Sequence, residues 1–314
     1  MSDDTTPETE TDGGAEAILE PDPNMANGHD ADDAARSTAS EFEGEDLVIG
    51  YPSGDQPVIG GESVAVAPGE VTALVGPNGS GKSTLLKGLA DQLALDDGTV
   101  TLDGTDVHAL ETKELARKLG LLSQENTSPE SISVEKLVEH GRYPHRGFFD
   151  SMTDEDRQAI DRAISLAGVE HLREREVGSL SGGQKQLVWI AMVLAQETDV
   201  LLLDEPTTFL DLHHQLEVME IVETLRDESD ITVVLVLHDI DQAARYADRM
   251  VALKDGAIYE RGTPEEVVTE ELLAEVFEID AEVKLTERGP RIVPLRPRHD
   301  DETEAQRDRT EDSQ

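Results

Sequence analysis

Nine residues constrain this chain more than any others: Gly76-Pro77-Asn78-Gly79-Ser80-Gly81-Lys82-Ser83-Thr84. They fit G-x-x-x-x-G-K-[ST] and stand between an apolar run, Val71–Val75, and a helix expected over Lys82–Leu93. Glycines at these spacings let backbone N–H groups turn inward, and the helix N-terminus behind them adds its dipole, so the segment is suited to surround phosphates. Lys82 offers a point charge to the β- and γ-phosphates, and the Ser83 hydroxyl is placed to ligate Mg²⁺. A strand, a phosphate cradle and a helix in succession point to an α/β fold.

Two further apolar runs, Val200–Leu203 and Ile231–Leu237, are rich in Val, Leu and Ile without polar alternation, the pattern of strands buried on both faces. They end at Asp204-Glu205 and His238-Asp239. Ligands of open parallel sheets bind beyond the carboxyl ends of the strands, so three such ends suggest one shared site. There Asp204 would hold the Mg²⁺ shell and Glu205 would act as general base toward a water. Residues 125–180 are polar, with helical spacing in Val134–Gly141 and Asp154–Ala167, and read as a helical insertion. Residues 263–296 form a C-terminal extension that opens on Thr263-Pro264-Glu265-Glu266, a helix start. Residues 1–42 and 297–314 hold too few large apolar groups to offset their ordering entropy and read as disordered tails. No internal repeat is found.

Composition removes several functions. With no cysteine, disulfides, thiolate zinc sites and thiol nucleophiles are excluded. A net charge of −43 argues against nucleic-acid partners, which need a basic surface. Residues 1–46 hold fifteen acids and one basic residue, Arg36, and the remainder is still strongly acidic. Such self-repulsion destabilises a compact chain in dilute salt and is screened at molar salt, where the Debye length is about 3 Å. A salt-loving cytoplasm is the expected setting. The N-terminus shows no secretory signal, and the longest apolar run, Leu187–Ala195, is too short to span a bilayer, so any membrane role is expected through a partner.

Leu180-Ser181-Gly182-Gly183-Gln184, just upstream of the Asp204-Glu205 strand, resembles the signature of ATP-binding-cassette (ABC) ATPases. The resemblance covers roughly residues 45–295. It implies an α/β fold: a P-loop, RecA-like core with a mixed, mainly parallel sheet, an inserted helical subdomain and an N-terminal antiparallel β part. The ATPase domain would run over 43–296, with the core at 43–124 and 181–262, the helical subdomain at 125–180 and the extension at 263–296. ATP and Mg²⁺ follow as cofactors. By the same resemblance, Gln124 matches the glutamine that senses the γ-phosphate and touches the permease, and it is expected among the Mg²⁺ ligands. His238 matches the switch histidine, Asp211 the dimer-contact aspartate, and Tyr51 the aromatic residue stacked on adenine. Ser181, Gly182 and Gly183 open a helix expected over Gln184–Ala195, a second helix N-terminus able to bind phosphate. In the family it caps the nucleotide held by a second copy of the chain.

Gly141-Arg142-Tyr143-Pro144-His145-Arg146-Gly147 resembles the helical subdomain of ATPases serving ferric-siderophore, haem and cobalamin importers. The stretches Trp189–Gln196, Thr207–Leu212 and Val236–Ile240 look most similar to the siderophore branch. The resemblance implies two permease subunits, an extracellular substrate-binding protein and a location on the cytoplasmic face of the membrane. Arg142 and Tyr143 are then expected to couple the ATPase to its permease. Cobalamin or haem import is the nearest alternative. Iron–sulfur cluster assembly is a further one that Arg142–Gly147 does not favour. Repair ATPases carry a long coiled coil between cradle and signature; here that interval is only about 100 residues without sustained heptads. Translation factors carry two cassettes, and this chain has one.

Overall fold

A computed structural model describes residues 40–298 apart from 125, 128, 148 and 149. The expected tails lie almost wholly outside the described residues. At their inner edges the fold reaches further than composition suggested: Phe42 is fully buried, and the last strand runs to Pro297.

The chain opens with β1 (Phe42–Ile49) and β2 (Ile59–Val66), an antiparallel pair. Next, β3 (Val71–Val75) leads through the glycine loop into α1 (Lys82–Leu89). Strand β4 (Leu95–Leu102) returns to pair with β1, and the short β5 (Thr105–Asp106) pairs with β4. Helix α2 (Thr112–Lys118) then runs into β6 (Leu119–Leu122). The insertion follows, with α3 (Val134–Glu139), a 3₁₀ segment over His140–His145 and α4 (Asp154–Leu166). Helix α5 (Gly182–Leu194) returns the chain to β7 (Val200–Asp204). There follow α6 (Leu212–Glu228), β8 (Thr232–Val236), α7 (Ile240–Tyr246), β9 (Arg249–Lys254) and β10 (Ala257–Gly262). The extension comprises α8 (Pro264–Val267), α9 (Glu270–Glu275) and a hairpin of β11 (Ile279–Thr286) with β12 (Gly289–Pro297).

The six-stranded sheet has the order β10-β9-β3-β8-β7-β6, with β9 through β6 parallel and β10 antiparallel. An antiparallel sheet, β2-β1-β4-β5, packs on one side of it. All five positions of β3, β7 and β8 are buried, as their unbroken apolar runs require. Alternate side chains serve opposite layers. Leu74, Leu202 and Val234 join the core shared with α1 and the antiparallel sheet. Ala73, Leu203 and Val233 join the larger core built on α5, α6 and the insertion. The register pairs Leu74 with Val236 and Leu203 with Leu235, which aligns the carboxyl ends of neighbouring strands.

Two helices end earlier than their spacing suggests. Helix α1 stops at Leu89, and two residues on Asp91 takes a left-handed φ of 55°. Helix α3 stops at Glu139, and the chain continues as a 3₁₀ turn around Pro144, which has no N–H to give an α-helix. Within the insertion the only described β pairing is an isolated bridge, Ser133 to Glu176.

Candidate functional site

Four adjacent strands deliver the expected residues to one place. In sheet order, β3 is followed by Gly76, β8 by His238, β7 by Glu205, and β6 by Gln124. Tyr51 reaches the same pocket from beyond β1. The pocket, about 300 Å³, is lined by Tyr51, Asn78, Lys82, Ser83, Glu205 and His238 among others.

The loop's shape depends on its glycines. Gly76 has φ 145°, and a Cβ there would lie 2.2 Å from the Leu253 carbonyl oxygen. Gly81, at φ 100°, caps α1 in a left-handed conformation, with Ile59 2.7 Å from where its Cβ would be. Only glycine meets both demands. Pro77 carries a carbonyl aimed at the lysine, and Thr84 accepts or donates at 3.3 Å to the Tyr51 hydroxyl. Lys82 is buried and donates to the Gly76 and Pro77 carbonyls, both at 2.9 Å. Burial lowers its pKa, opposed by the charges of Glu205 and Asp204. Ser80 Oγ, also buried, has no hydrogen-bond partner among the described residues.

Asp204 is buried to 99 % and accepts from Ser83 Oγ at 2.7 Å. Its other oxygen, Oδ2, takes no hydrogen bond; Lys87 Nζ stands 4.0 Å away, an ion-pair distance only. Burial raises the carboxyl's pKa against the pull of Ser83 and Lys87. An orphaned carboxylate oxygen beside a hydroxyl is a hard, oxygen-only donor set that fits Mg²⁺, which is commonly held by one or two carboxylates plus substrate phosphates. No cluster of three or more His, Asp or Glu that could form a metal cage occurs among the described residues.

Glu205 follows β7 at φ 53° and is about nine-tenths buried at its side chain. His238 Nε2 lies 2.7 Å from Oε1, while Oε2 accepts from Gln124 at 2.6 Å and Thr208 at 3.2 Å. A carboxylate only accepts, so the His238 contact places a proton on Nε2. The donation from Gln124 uses its amide nitrogen and leaves its carbonyl oxygen facing elsewhere. Three strand ends thus hold one carboxylate by three side chains. Thr208 was not among the sequence candidates; its signal was only its place three residues after the acid.

The signature segment stands apart. Ser181 caps α5 through a reciprocal box, its Oγ accepting from the Gln184 N–H at 3.3 Å and its own N–H donating to Gln184 Oε1 at 3.2 Å. Asp211 caps α6 by accepting from the His214 N–H. Hydrogen bonds from the His214 backbone and ring hold the Asp211 carboxyl below the usual range. Neither Ser181, Gly182, Gly183, Gln184 nor Asp211 lines the pocket of the cradle.

Arg142, expected to couple to a permease, is buried: it donates to Asp156 at 3.0 Å and to the Ala195 carbonyl and Glu197 at 2.9 Å. It clamps the insertion to the end of α5. Tyr143 beside it is 56 % exposed, its ring centroid 4.8 Å from that of His140 and tilted by 31°. Among the described residues no helix is long and apolar enough to cross a membrane.

A profile of the ABC transporter family matches residues 60–208. The ferric enterobactin transport ATP-binding protein FepC of Escherichia coli is 43 % identical over 263 residues, 82 % of this chain and 95 % of that one. The iron(3+)-hydroxamate import ATP-binding protein FhuC of Bacillus subtilis is 44 % identical over 251 residues, 80 % and 93 % of the two chains. A cobalamin import ATP-binding protein, BtuD of Halobacterium salinarum, is 41 % identical over 214 residues, 68 % of this chain and 53 % of its own. Among solved structures, an inward-facing metal-chelate type ABC transporter superposes with TM-score 0.70 at 28 % identity, covering 82 % and 98 % of the chains. A dimeric bacterial ABC transporter cassette superposes at 0.64 and 28 %, covering 71 % and 98 %. With the strand ends, cradle and fold in agreement with these matches, the chain belongs to the ABC transporter family as an ATP-binding subunit, an ATPase that uses ATP with Mg²⁺.

Proposed function

We propose that this chain is the motor of an importer for iron(III)-siderophore complexes, and that it hydrolyses ATP at the interface of two copies. The supporting observation is the division of the candidate residues. One group is joined at the cradle, by the pocket itself and by the Ser83–Asp204 and Gln124–Glu205 hydrogen bonds, while Ser181, Gly182, Gly183, Gln184 and Asp211 do not line that pocket. A single copy therefore offers half of a nucleotide site.

In this reading Gly76 to Thr84 wrap the phosphates with backbone N–H groups, and Lys82 leaves its carbonyl partners for the β- and γ-phosphates. Tyr51 stacks on adenine. Asp204, Ser83 and the carbonyl oxygen of Gln124 would hold Mg²⁺, which would neutralise charge on the phosphate oxygens. Glu205 takes the proton of the attacking water, and His238 contacts the γ-phosphate. Ser181, Gly182, Gly183 and Gln184 of the second copy cap the nucleotide, with Asp211 at the contact. ATP joins the copies and hydrolysis releases them.

Replacing Glu205 by Gln tests the site. Nucleotide affinity should be retained, turnover should fall by about 10²–10⁴-fold, and an ATP-bound pair should accumulate. Wild-type turnover in this variant would remove Glu205 from its role.

The importer reading rests on likeness to FepC and FhuC over four-fifths of the chain. It brings two permease subunits, an extracellular substrate-binding protein and a place at the cytoplasmic face of the membrane. Likeness to the Halobacterium salinarum protein supports cobalamin as a second cargo. Uptake of ⁵⁵Fe-siderophore against labelled cobalamin, in vesicles reconstituted with the permease pair, decides between them. The acidic composition further supports a salt-rich cytoplasm.

A further inference from the structure

The two glycines of the signature occupy different surroundings. Gly182 is exposed, and a Cβ added there would meet nothing within 4 Å. Gly183 is buried, and a Cβ there would fall 2.3 Å from Cγ and Cδ2 of the His214 ring. The first turn of α5 therefore rests on an imidazole that only a missing side chain lets come so close.

That imidazole is itself held. Its Nδ1 lies 2.8 Å from Asp211 Oδ1, the oxygen that also accepts the His214 backbone N–H at 3.1 Å. The ring is one-fifth exposed. Gln215, the next residue, donates to the Leu210 carbonyl at 3.0 Å, which binds the same loop a second time. At the loop's other end, Thr208 donates to Glu205. His214, in the first turn of α6, thus links the first turn of the signature helix to the end of the loop leading from Glu205 to Asp211.

We propose that His214 is a positioning residue for the signature: its ring sets the distance and tilt of the α5 N-terminus relative to the Asp211 loop, so both face a second copy of this chain as one unit. The inference rests on the reading that the signature caps a nucleotide bound by the other copy. It adds the residue that holds the cap in place.

Because His214 lies outside the cradle pocket, its removal should separate two measurements. In the Glu205→Gln background, a fluorescent ATP analogue should bind the isolated chain with unchanged affinity when His214→Ala is added. ATP-driven pairing should weaken at least tenfold. In the otherwise unaltered protein, KM for ATP should rise more than kcat falls. The sharper test exchanges volume. Gly183→Ala should impair pairing because its methyl meets the ring, and His214→Ala combined with it should recover part of the loss by opening that space. His214→Phe, which keeps a ring but cannot donate to Asp211, should fall between His214→Ala and the parent.

Parental pairing in His214→Ala would overturn the proposal. So would loss of analogue binding by the isolated chain, or no recovery in the double variant. Ser181→Arg separates the two layers of inference. If it leaves pairing intact, the signature reading itself fails; if it abolishes pairing while His214→Ala does not weaken it, only the role of His214 fails.

Discussion

At the scale of the residue, the site gives two adjacent carboxylates different surroundings. Glu205 has both oxygens engaged by His238, Gln124 and Thr208, whereas Asp204 has one oxygen on Ser83 and the other without a hydrogen bond in a buried position. Burial raises the Asp204 pKa, and the direction gives a stability consequence. A carboxyl whose folded pKa lies above its unfolded value costs stability above that folded pKa, a cost relieved as pH falls through it. Asp204→Asn removes the cost while its carbonyl can still accept from Ser83. Without metal and nucleotide at neutral pH, the variant should melt at a higher temperature than the parent by calorimetry, and its Mg²⁺-dependent hydrolysis should be lost. A lower melting temperature would show that attraction from Lys87 and Lys82 outweighs desolvation. The cradle and the Asp204-Glu205 pair were legible because each is contiguous and tied to a strand end. The roles of Thr208 and His214 were not, because each depends on a contact that the fold creates.

At the scale of the element, the insertion is joined to the core by a buried polar clamp. Arg142 sits in the 3₁₀ segment, Asp156 in the first turn of α4, and Glu197 just after α5. Asp156 has a second duty: with Thr153 it closes the capping box of α4. The burial of Arg142 was not legible in the sequence, because arginine is rarely buried unless paired and its partners lie 14 and 55 positions away. Removing one member of a buried pair commonly costs about 3–5 kcal/mol. Arg142→Ala should fall near the low end, since Asp156 keeps its Thr153 donors, and lower the melting temperature by roughly 5–10 °C. Burial pushes the Asp156 pKa up, but the Thr153 N–H and hydroxyl and Arg142 outweigh it and hold the carboxyl below its ordinary 3.8. Its contribution is then present in full above the unfolded value and lost as pH falls through the lower folded one. The melting gap between the parent and Asp156→Asn should therefore narrow under acid. Equal gaps across acid pH would place the contribution in packing and not in charge. The sheet was easier to foresee than this insertion, since Val and Leu runs such as Val200–Leu203 state their burial locally, while the clamp joins three separate segments.

At the scale of the whole molecule, charge sets the conditions under which the fold holds. The chain carries 69 acids against 26 Lys and Arg, so most carboxylates have no cation to meet. Some exposed pairs exist, as between Lys136 and Glu139 or Arg157 and Asp154. Each such pair is worth about 0–1 kcal/mol and weakens in salt. The Arg142 clamp is buried and little screened. Repulsion among the surplus acids acts in the opposite sense, since screening removes a cost. With a net charge of −43 the surplus far exceeds the pairs, so screening should stabilise on balance. At about 0.15 M salt the Debye length is about 8 Å, long enough for neighbouring surface carboxylates to repel; at about 1 M it is about 3 Å, shorter than their usual separation. Melting temperature should therefore climb steeply as KCl is raised to about 1 M and more slowly beyond. Hydrophobic burial also strengthens in some salts, so KCl must be compared with an uncharged osmolyte such as sucrose. A rise in KCl that sucrose does not reproduce assigns the effect to charge. A curve that is flat or falls with KCl would mean that the exposed ion pairs outweigh the repulsion, and the acidic surface would then not be an adaptation to salt.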